Sequence, residues 1–294
     1  MRKPISLSVV SLQLRYGDLK MLEIAKRAGF DAVDMDVMSY GHGKLPDVYR
    51  MPQGEFEEYF DGVKRYAAQL GIGIAHTHNI MSAYRPNDEA YNRDLLARCK
   101  RGIEATRLLG CRYTVTHCIN SYRWGEDTPP EVMHRENQRM FADFLDVIEA
   151  NGVYATLESF GRSSAGVCDC FGDARRMLAE YESLPTEHKA FCLDAGHTHT
   201  ATALGQPTVP EFIRLFGSRI KMLHLHDNDG MLDQHLIPRQ GTIDWPAVFD
   251  ALDEIGYEGY YNYECNLYFG ESTDRAALFL GPYLREFTDK RGRV

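Results

Sequence analysis

Six side chains that can bind a divalent cation each stand at the end of a short apolar run, and they recur along the chain at nearly even spacing. They are His78, His117, Glu158, Asp194, His224 and Glu264. The intervals between successive members are 39, 41, 36, 30 and 40 residues. Each interval fits one strand plus one helix, and the carboxyl ends of all strands in a parallel β/α barrel meet on one face. The spacing therefore predicts one shared active site.

The apolar periodicity predicts the elements that position these side chains. Strands are predicted over residues 5–10, 32–36, 73–78, 113–117, 154–158, 191–194, 220–226 and 259–264. Helices are predicted over residues 19–28, 55–70, 88–109, 130–150, 173–181, 209–216, 246–255 and 273–287. Strict alternation of this kind implies parallel strands joined by right-handed crossovers. An open doubly wound sheet gives no reason for ligands at the ends of six strands, so we expect an α/β fold, a (β/α)8 TIM barrel.

The connections indicate where the site lies and how many domains the chain has. Most of the long loops follow predicted strands, whereas the segments from helix back to strand are short. Long loops at the carboxyl ends of the strands are typical of the active-site face of such barrels. Because no composition shift or charge run marks a linker, we expect one domain over residues 1–294.

Composition narrows the class of protein. The chain of 294 residues is 44% hydrophobic and 26% charged, with a formal net charge of −9. An acidic chain is a poor candidate for wrapping a phosphate backbone, so no nucleic-acid partner is expected. Seven irregularly spaced cysteines, without a signal-like apolar segment at the start, favour a cytoplasmic location. No stretch approaches the roughly 20 apolar residues that cross a bilayer, so no membrane partner is expected; a homo-oligomer is compatible with the sequence.

Four of the six strand-end residues form the strongest candidate metal site. A carboxylate at the end of a buried strand needs a positive partner, and for one acid alone an Arg or Lys would serve. Glu158, Asp194 and Glu264 end three different strands, and His224 ends a fourth, which favours a cation. His226 points to the same side of its strand as His224 because side chains alternate. His224 lies deeper and is our choice of ligand, leaving His226 to orient a ligand or to hold substrate.

Two further pairs of polar residues accompany the four candidate metal ligands. Asp194 and His197 lie three residues apart across a predicted strand end that turns at Gly196, and Asp233 and His235 share one side of an extended loop. With His117 and either His78 or His76, they predict a second or third metal site, or donors and acceptors for sugar hydroxyls. The sequence leaves both interpretations open.

Several motifs together resemble a known superfamily. They are Leu157-Glu158, Leu193-Asp-Ala-Gly-His197, His224-Leu-His-Asp-Asn-Asp-Gly230, Asp233-Gln-His235, Gly241-Thr-Ile-Asp-Trp245 and Tyr263-Glu264. The chain resembles the sugar (phosphate) isomerase and epimerase superfamily of xylose isomerase-like TIM barrels. This resemblance implies one divalent ion held by the residues matching Glu158, Asp194, His224 and Glu264, with the two glutamates also acting as acid and base. Of Mn²⁺, Zn²⁺, Co²⁺ and Mg²⁺, the mixed oxygen and imidazole donors favour Mn²⁺.

One loop departs from the superfamily pattern. Where a Pro-Gly-x-Gly turn is expected, the chain has Pro238-Arg-Gln-Gly241. Arg239 either reaches an anionic group of the substrate or only solvates the loop, which leaves substrate selection open.

Two carboxylates and a cation suit proton abstraction next to the carbonyl of a ketose or related carbohydrate, through an enediolate. Return of the proton gives an epimer or an isomer. A lyase, dehydratase or C-glycoside-cleaving enzyme would use the same chemistry.

A competing hypothesis is a hydrolase that resembles the apurinic endonucleases, whose multinuclear zinc site uses nine residues. Their counterparts here are His78, His117, Glu158, Asp194, His197, His224, Asp233, His235 and Glu264. Acidic charge and the lack of a basic stripe oppose it.

Overall fold

Eight parallel strands form the central sheet of the computed structural model, which describes residues 2–80, 84–120, 124–163, 166–265 and 273–293. The strands are β1 (Ile5–Ser8), β2 (Ala32–Asp36), β3 (Gly73–Ile80), β4 (Tyr113–Thr116), β5 (Tyr154–Glu158), β6 (Lys189–Asp194), β7 (Ile220–His224) and β8 (Tyr261–Tyr263). Their spatial order is β7-β6-β5-β4-β3-β2-β1-β8. The sheet closes just after β7, where the Leu225 amide donates to the Asn262 carbonyl at 2.8 Å. The predicted (β/α)8 TIM barrel is confirmed.

Helices follow the strands and cover the outside of the barrel. Those at predicted positions are Asp18–Arg27, Gln53–Leu70, Glu89–Leu109, Pro130–Ala142, Leu145–Asn151, Ala174–Ser183, Val209–Phe216, Trp245–Glu254 and Thr273–Asp289. Several ends carry the signals expected from sequence. Gly71, Gly110 and Gly152 end helices in the left-handed region, which costs glycine little. Asp88 and Asp173 begin helices by accepting hydrogen bonds from backbone amides of the first turn.

Some predicted boundaries are wrong. The predicted strand over residues 5–10 ends at Ser8, and a helix, Val10–Tyr16, begins at once. The predicted helix over residues 130–150 is two helices, because the backbone leaves helical geometry at Phe144 (φ −129°, ψ 3°), whose ring is buried in the core. A further helix, Ala195–Thr202, follows β6, so the described residues contain more than the eight predicted helices.

Several strands alternate between an apolar outer face and a polar inner face, whereas Val115, Cys192 and Met222 form a small apolar cluster of their own. Ile5, Leu7, Val33, Met35 and Leu223 belong to the hydrophobic core beneath the helices. The residues between them on the same strands include the buried polar side chains Ser6, Asp34 and His224. Barrel interiors are ordinarily filled by branched apolar residues. The polar interior therefore indicates that this barrel surrounds a site built from charged groups.

Two further observations concern the predicted environment of the chain. Among the helices in the described ranges, none combines the length and apolar character needed to span a lipid bilayer. All seven cysteines are free thiols.

Candidate metal centre and active site

A cavity of about 270 Å³ opens at the carboxyl ends of the strands. Its lining combines carboxylates, imidazoles, one hydroxyl and two apolar side chains. The lining residues are Ser8, Val10, Asp36, His78, His117, Glu158, Phe160, His197, His235 and Glu264. The structure thus brings residues from strand ends far apart in sequence to one place on the face where the sequence located the site.

The first group of donors is Glu158, Asp194, His224 and Glu264, of which Glu158 and Glu264 line the cavity. One donor atom from each lies within 4.8 Å of the others. All four side chains are buried, with Glu264 the most exposed at 5%. His224 Nδ1 lies 2.6 Å from Glu158 Oε1 and 3.7 Å from Glu264 Oε2. In the described part of the chain, neither Lys nor Arg forms an ion pair with these three carboxylates.

A second group shares Glu158 with the first. His117 Nε2 lies 2.6 Å from Glu158 Oε2, and His78 Nε2 lies 3.6 Å from the same oxygen. The two imidazoles are themselves 3.0 Å apart between their Nε2 atoms. His78, not His76, therefore faces the cavity, since His76 lies one layer deeper, beside Asp34.

The third group lies beside Asp194 and consists of His197, His226, Asp233 and His235. His197 Nε2 and His235 Nε2 each lie 3.3 Å from a carboxylate oxygen of Asp233. The rings of His226 and His235 stack with centroids 3.8 Å apart. His226 Nε2 also contacts Asp194 Oδ1 at 2.9 Å. The structure thus separates the two histidines that the sequence weighed as ligands: His224 joins the first group and His226 the third.

Imidazoles set the protonation of the buried acids. Burial opposes ionisation of Glu158, but His224 and His117 outweigh it and hold the pKa of Glu158 well below its usual value. Burial likewise opposes ionisation of Asp194, yet His197 and His226 lower its pKa. Both carboxylates are therefore ionised at neutral pH, as metal ligands must be.

The acids act on the imidazoles in return. Burial alone would lower the pKa of His197, but Asp194 and Asp233 raise it well above its usual value. For His235, contact with Asp233 overcomes burial and raises the pKa to about 9. For His78, burial dominates and lowers the pKa despite the nearby Glu158.

The loop after β6 positions His197 by a helix cap that the sequence analysis did not predict. Asp194 begins the helix Ala195–Thr202 by accepting a hydrogen bond from the His197 amide at 2.7 Å. The expected turn at Gly196 is therefore the first turn of a helix. A Cβ atom at Gly196 would stand 2.0 Å from the His226 ring, so only glycine lets the first turn of this helix and the ring of His226 approach this closely.

The loop after β7 is folded around Asp227. This fully buried carboxylate accepts hydrogen bonds from the Asn228, Arg239 and Ile243 amides and from Trp245 Nε1, at 2.7 to 3.2 Å. Asp227 thus orders its own loop, which carries Asp233 and His235 to the cavity. The Arg239 side chain is exposed and does not line the cavity.

Two acids of β2 also lie at the site, and neither is predicted above. Asp36 lines the cavity, where its side chain accepts hydrogen bonds from the Met38 and Ser39 amides at 2.7 and 3.2 Å. Asp34 lies one layer deeper, near His76 and His224. The same alternation that paired His224 with His226 would have revealed both acids, because they end an apolar strand two residues apart.

The first group fits a divalent cation. Its three carboxylates and one imidazole are donors that Mn²⁺ and Zn²⁺ accept. Three carboxylates this close and this buried are costly without a compensating charge. The imidazole of His224 supplies only part of that charge. A metal ion in this group would supply the remainder.

Comparisons with known proteins agree with the fold. A family model described as a xylose isomerase-like TIM barrel matches residues 22–278. Inosose isomerase of Bacillus velezensis is 24% identical over 243 residues, which cover 80% of this chain and 79% of that protein. Fructoselysine 3-epimerase of Shigella flexneri is 25% identical over 177 residues, which cover 60% of each protein.

Among solved structures, a crystal structure of IOLI protein with a bound zinc atom shares the fold. The TM-score is 0.75 at 19% identity, and the match covers 99% of this chain and all of the other.

Proposed function

Because the chain belongs to the xylose isomerase-like TIM barrel family, we propose that it is a sugar isomerase or epimerase that depends on a divalent metal ion. One observation carries this proposal: two buried glutamates from different strands, Glu158 and Glu264, approach the same atom, Nδ1 of His224. The relatives named above, an inosose isomerase and a fructoselysine 3-epimerase, are of this class.

The residues of the first group would hold the ion, with Mn²⁺ our first choice and Zn²⁺ or Co²⁺ next. When bound, the ion supplies stabilisation of the negative charge that develops on the substrate oxygens. Glu158, ionised and buried, accepts the proton from the carbon next to the carbonyl. Glu264 returns a proton to the substrate. The two glutamates thus divide the roles of base and acid.

The cavity walls suit a small carbohydrate. The cavity volume of about 270 Å³ admits a molecule of monosaccharide size. The imidazoles of His197 and His235 can donate to or accept from hydroxyl groups. The ring of Phe160 stacks on His197 with centroids 5.5 Å apart and offers an apolar wall for a sugar face. We propose that these three residues bind and orient the substrate.

A second candidate function is hydrolysis at a multinuclear zinc site of the apurinic endonuclease kind. The observation that favours it is that all nine counterpart residues fall in the three adjoining groups. The net charge of −9 opposes it, as does a cavity lined by neither Lys nor Arg among the described residues. Three tightly held zinc ions per chain, with cleavage of abasic DNA, would establish the hydrolase in place of the isomerase.

The first experiment is product analysis. The full chain, loaded with Mn²⁺, is incubated with free and phosphorylated ketoses and with inososes, and the products are identified by NMR. We expect an epimer or isomer of at least one substrate, and no turnover after the metal is removed by a chelator. Elimination products would instead identify a lyase. Turnover that survives chelation contradicts the metal dependence.

We also propose the setting of the enzyme. We expect one barrel domain over residues 1–294, acting in the cytoplasm on a small-molecule carbohydrate. The free cysteines support a reducing environment, because buried thiols at irregular spacing are typical of cytoplasmic proteins.

A further inference from the structure

A line of buried polar side chains lies directly beneath the proposed metal centre. Ser6 donates to Asn262 Oδ1 at 2.9 Å, and Asn262 Nδ2 donates to Asp34 Oδ2 at 3.3 Å. The same Asp34 oxygen lies 3.6 Å from His224 Nε2. The line crosses the barrel from β1 through β8 and β2 to β7. It occupies a layer that branched apolar side chains fill in ordinary barrels.

Asp34 is costly to bury, and its polar neighbours do not fully satisfy it. The side chain is 1% exposed, and its partners among the described residues are imidazoles and an amide, with neither Lys nor Arg. Asp34 Oδ1, His76 Nε2 and His224 Nε2 are buried without a hydrogen-bond partner among the described residues. A carboxylate held in this way needs a role that offsets its desolvation.

The two ring nitrogens of His224 face different groups. Nδ1 faces Glu158 and Glu264 in the proposed metal centre, whereas Nε2 faces Asp34. A histidine that binds a metal through one nitrogen ordinarily donates its other N–H to a carboxylate or carbonyl, which fixes the tautomer and the ring orientation. Asp34 is placed to be this acceptor.

We propose that Asp34 is a positioning residue for the metal centre: it holds the Nε2–H of His224, so that the Nδ1 lone pair faces the cation. Asn262 holds the Asp34 carboxylate in place, and Ser6 holds Asn262. His76 Nε2 lies 3.6 Å from the same carboxylate oxygen, Asp34 Oδ2. This inference rests on the proposed metal dependence, and it places Asp34 outside the first group, although one Asp34 oxygen also lies within 4.8 Å of donor atoms on His78, His224 and Glu264.

The test compares Asp34→Asn with the wild type in the full chain. The substitution keeps the size of the side chain and removes its charge. The affinity for Zn²⁺ is measured by competition with a chromophoric chelator, and the visible spectrum of the Co²⁺-loaded protein reports the ligand geometry. We expect Zn²⁺ affinity to fall by about 10- to 100-fold, as for other outer partners of metal ligands. We also expect the Co²⁺ spectrum to change.

Glu180→Gln is the matched control. Glu180 is also a buried carboxylate in contact with an imidazole, His134 Nδ1 at 2.7 Å, but it lies on the helix Ala174–Ser183 outside the barrel. This variant is expected to keep wild-type Zn²⁺ affinity and Co²⁺ spectrum whatever its stability. A loss of affinity equal to that of Asp34→Asn would show a general effect of removing a buried charge and would overturn the proposal.

Asn262→Ala gives a second measurement, which decides the matter should Asp34→Asn not fold. It removes the amide that donates to Asp34 and leaves Asp34 and His224 in place. We expect Zn²⁺ affinity to weaken in the same direction by a smaller factor. Wild-type affinity and an unchanged spectrum in the variants that fold would overturn the proposal. If the wild type itself binds no metal, the proposed function fails first, and the two failures are thereby distinguished.

Discussion

Glu158 contacts two imidazoles at 2.6 Å, His224 Nδ1 through one oxygen and His117 Nε2 through the other. The buried carboxylate of Glu158 needs a positive charge beside it. A protonated imidazole or a bound metal ion would supply that charge. Burial opposes the charged form of His224, but Cys192, Glu264 and Glu158 raise its pKa well above the usual value. In the metal-free protein, a protonated His224 therefore supplies part of the charge that balances the ionised Glu158.

Metal binding should release the proton of His224. His224, the one imidazole of the first group, has a raised pKa, so it is protonated at pH 7 in the metal-free protein. A ligand imidazole must be neutral, so we expect release of about one proton per ion and an affinity that rises with pH. Calorimetric titration with Zn²⁺ in buffers of different ionisation enthalpy measures the number released. A binding enthalpy independent of the buffer contradicts this expectation.

At the scale of elements, the alternation of strands and helices was predictable because each element has its own local signal. The helix Ala195–Thr202 was not, because its sequence, Ala-Gly-His-Thr-His-Thr-Ala-Thr, carries no amphipathic stripe and its start depends on the Asp194 cap. Pairings such as His224 with Glu158, which lie 66 residues apart, depend on strand register and barrel closure. The sequence could therefore indicate the first group, but it could not assign the remaining histidines and Asp233 to the second or the third group.

A substitution in the loop after β7 tests whether Asp227 orders that loop. Asp227→Asn replaces an oxygen that accepts N–H donors with a further donor, leaving at least one buried group unsatisfied. We expect a loss of about 1–3 kcal/mol in the free energy of unfolding, measured by urea titration. The backbone amides near His235 should also exchange faster with solvent.

Asp229→Asn is the control in the same loop. Asp229 is exposed and accepts hydrogen bonds from the Met231 and Leu232 amides at 2.8 and 3.0 Å. We expect this variant to change the free energy of unfolding by less than about 0.5 kcal/mol. Equal effects of the two substitutions would contradict a special role for Asp227.

At the scale of the whole molecule, the acidic charge and the site agree. The chain carries a formal charge of −9, and its cavity at the barrel mouth is lined by carboxylates and imidazoles, with neither Lys nor Arg in the described lining. Such a cavity attracts cations, and a phosphate group would meet neither Lys nor Arg among the described residues that line it. The barrel thus collects polar residues from many strands at one end and leaves the apolar packing beneath the helices.

In the proposed reaction, Glu158 and Glu264 move a proton at the carbon next to a carbonyl. The most direct measurement is the incorporation of solvent deuterium at that carbon, followed by NMR in D₂O with the Mn²⁺-loaded chain and a substrate that it turns over. We expect the wild type and Glu180→Gln to exchange, and Glu158→Gln and Glu264→Gln to exchange at least about 100-fold more slowly at saturating metal. Wild-type exchange by both glutamine variants would contradict the claim.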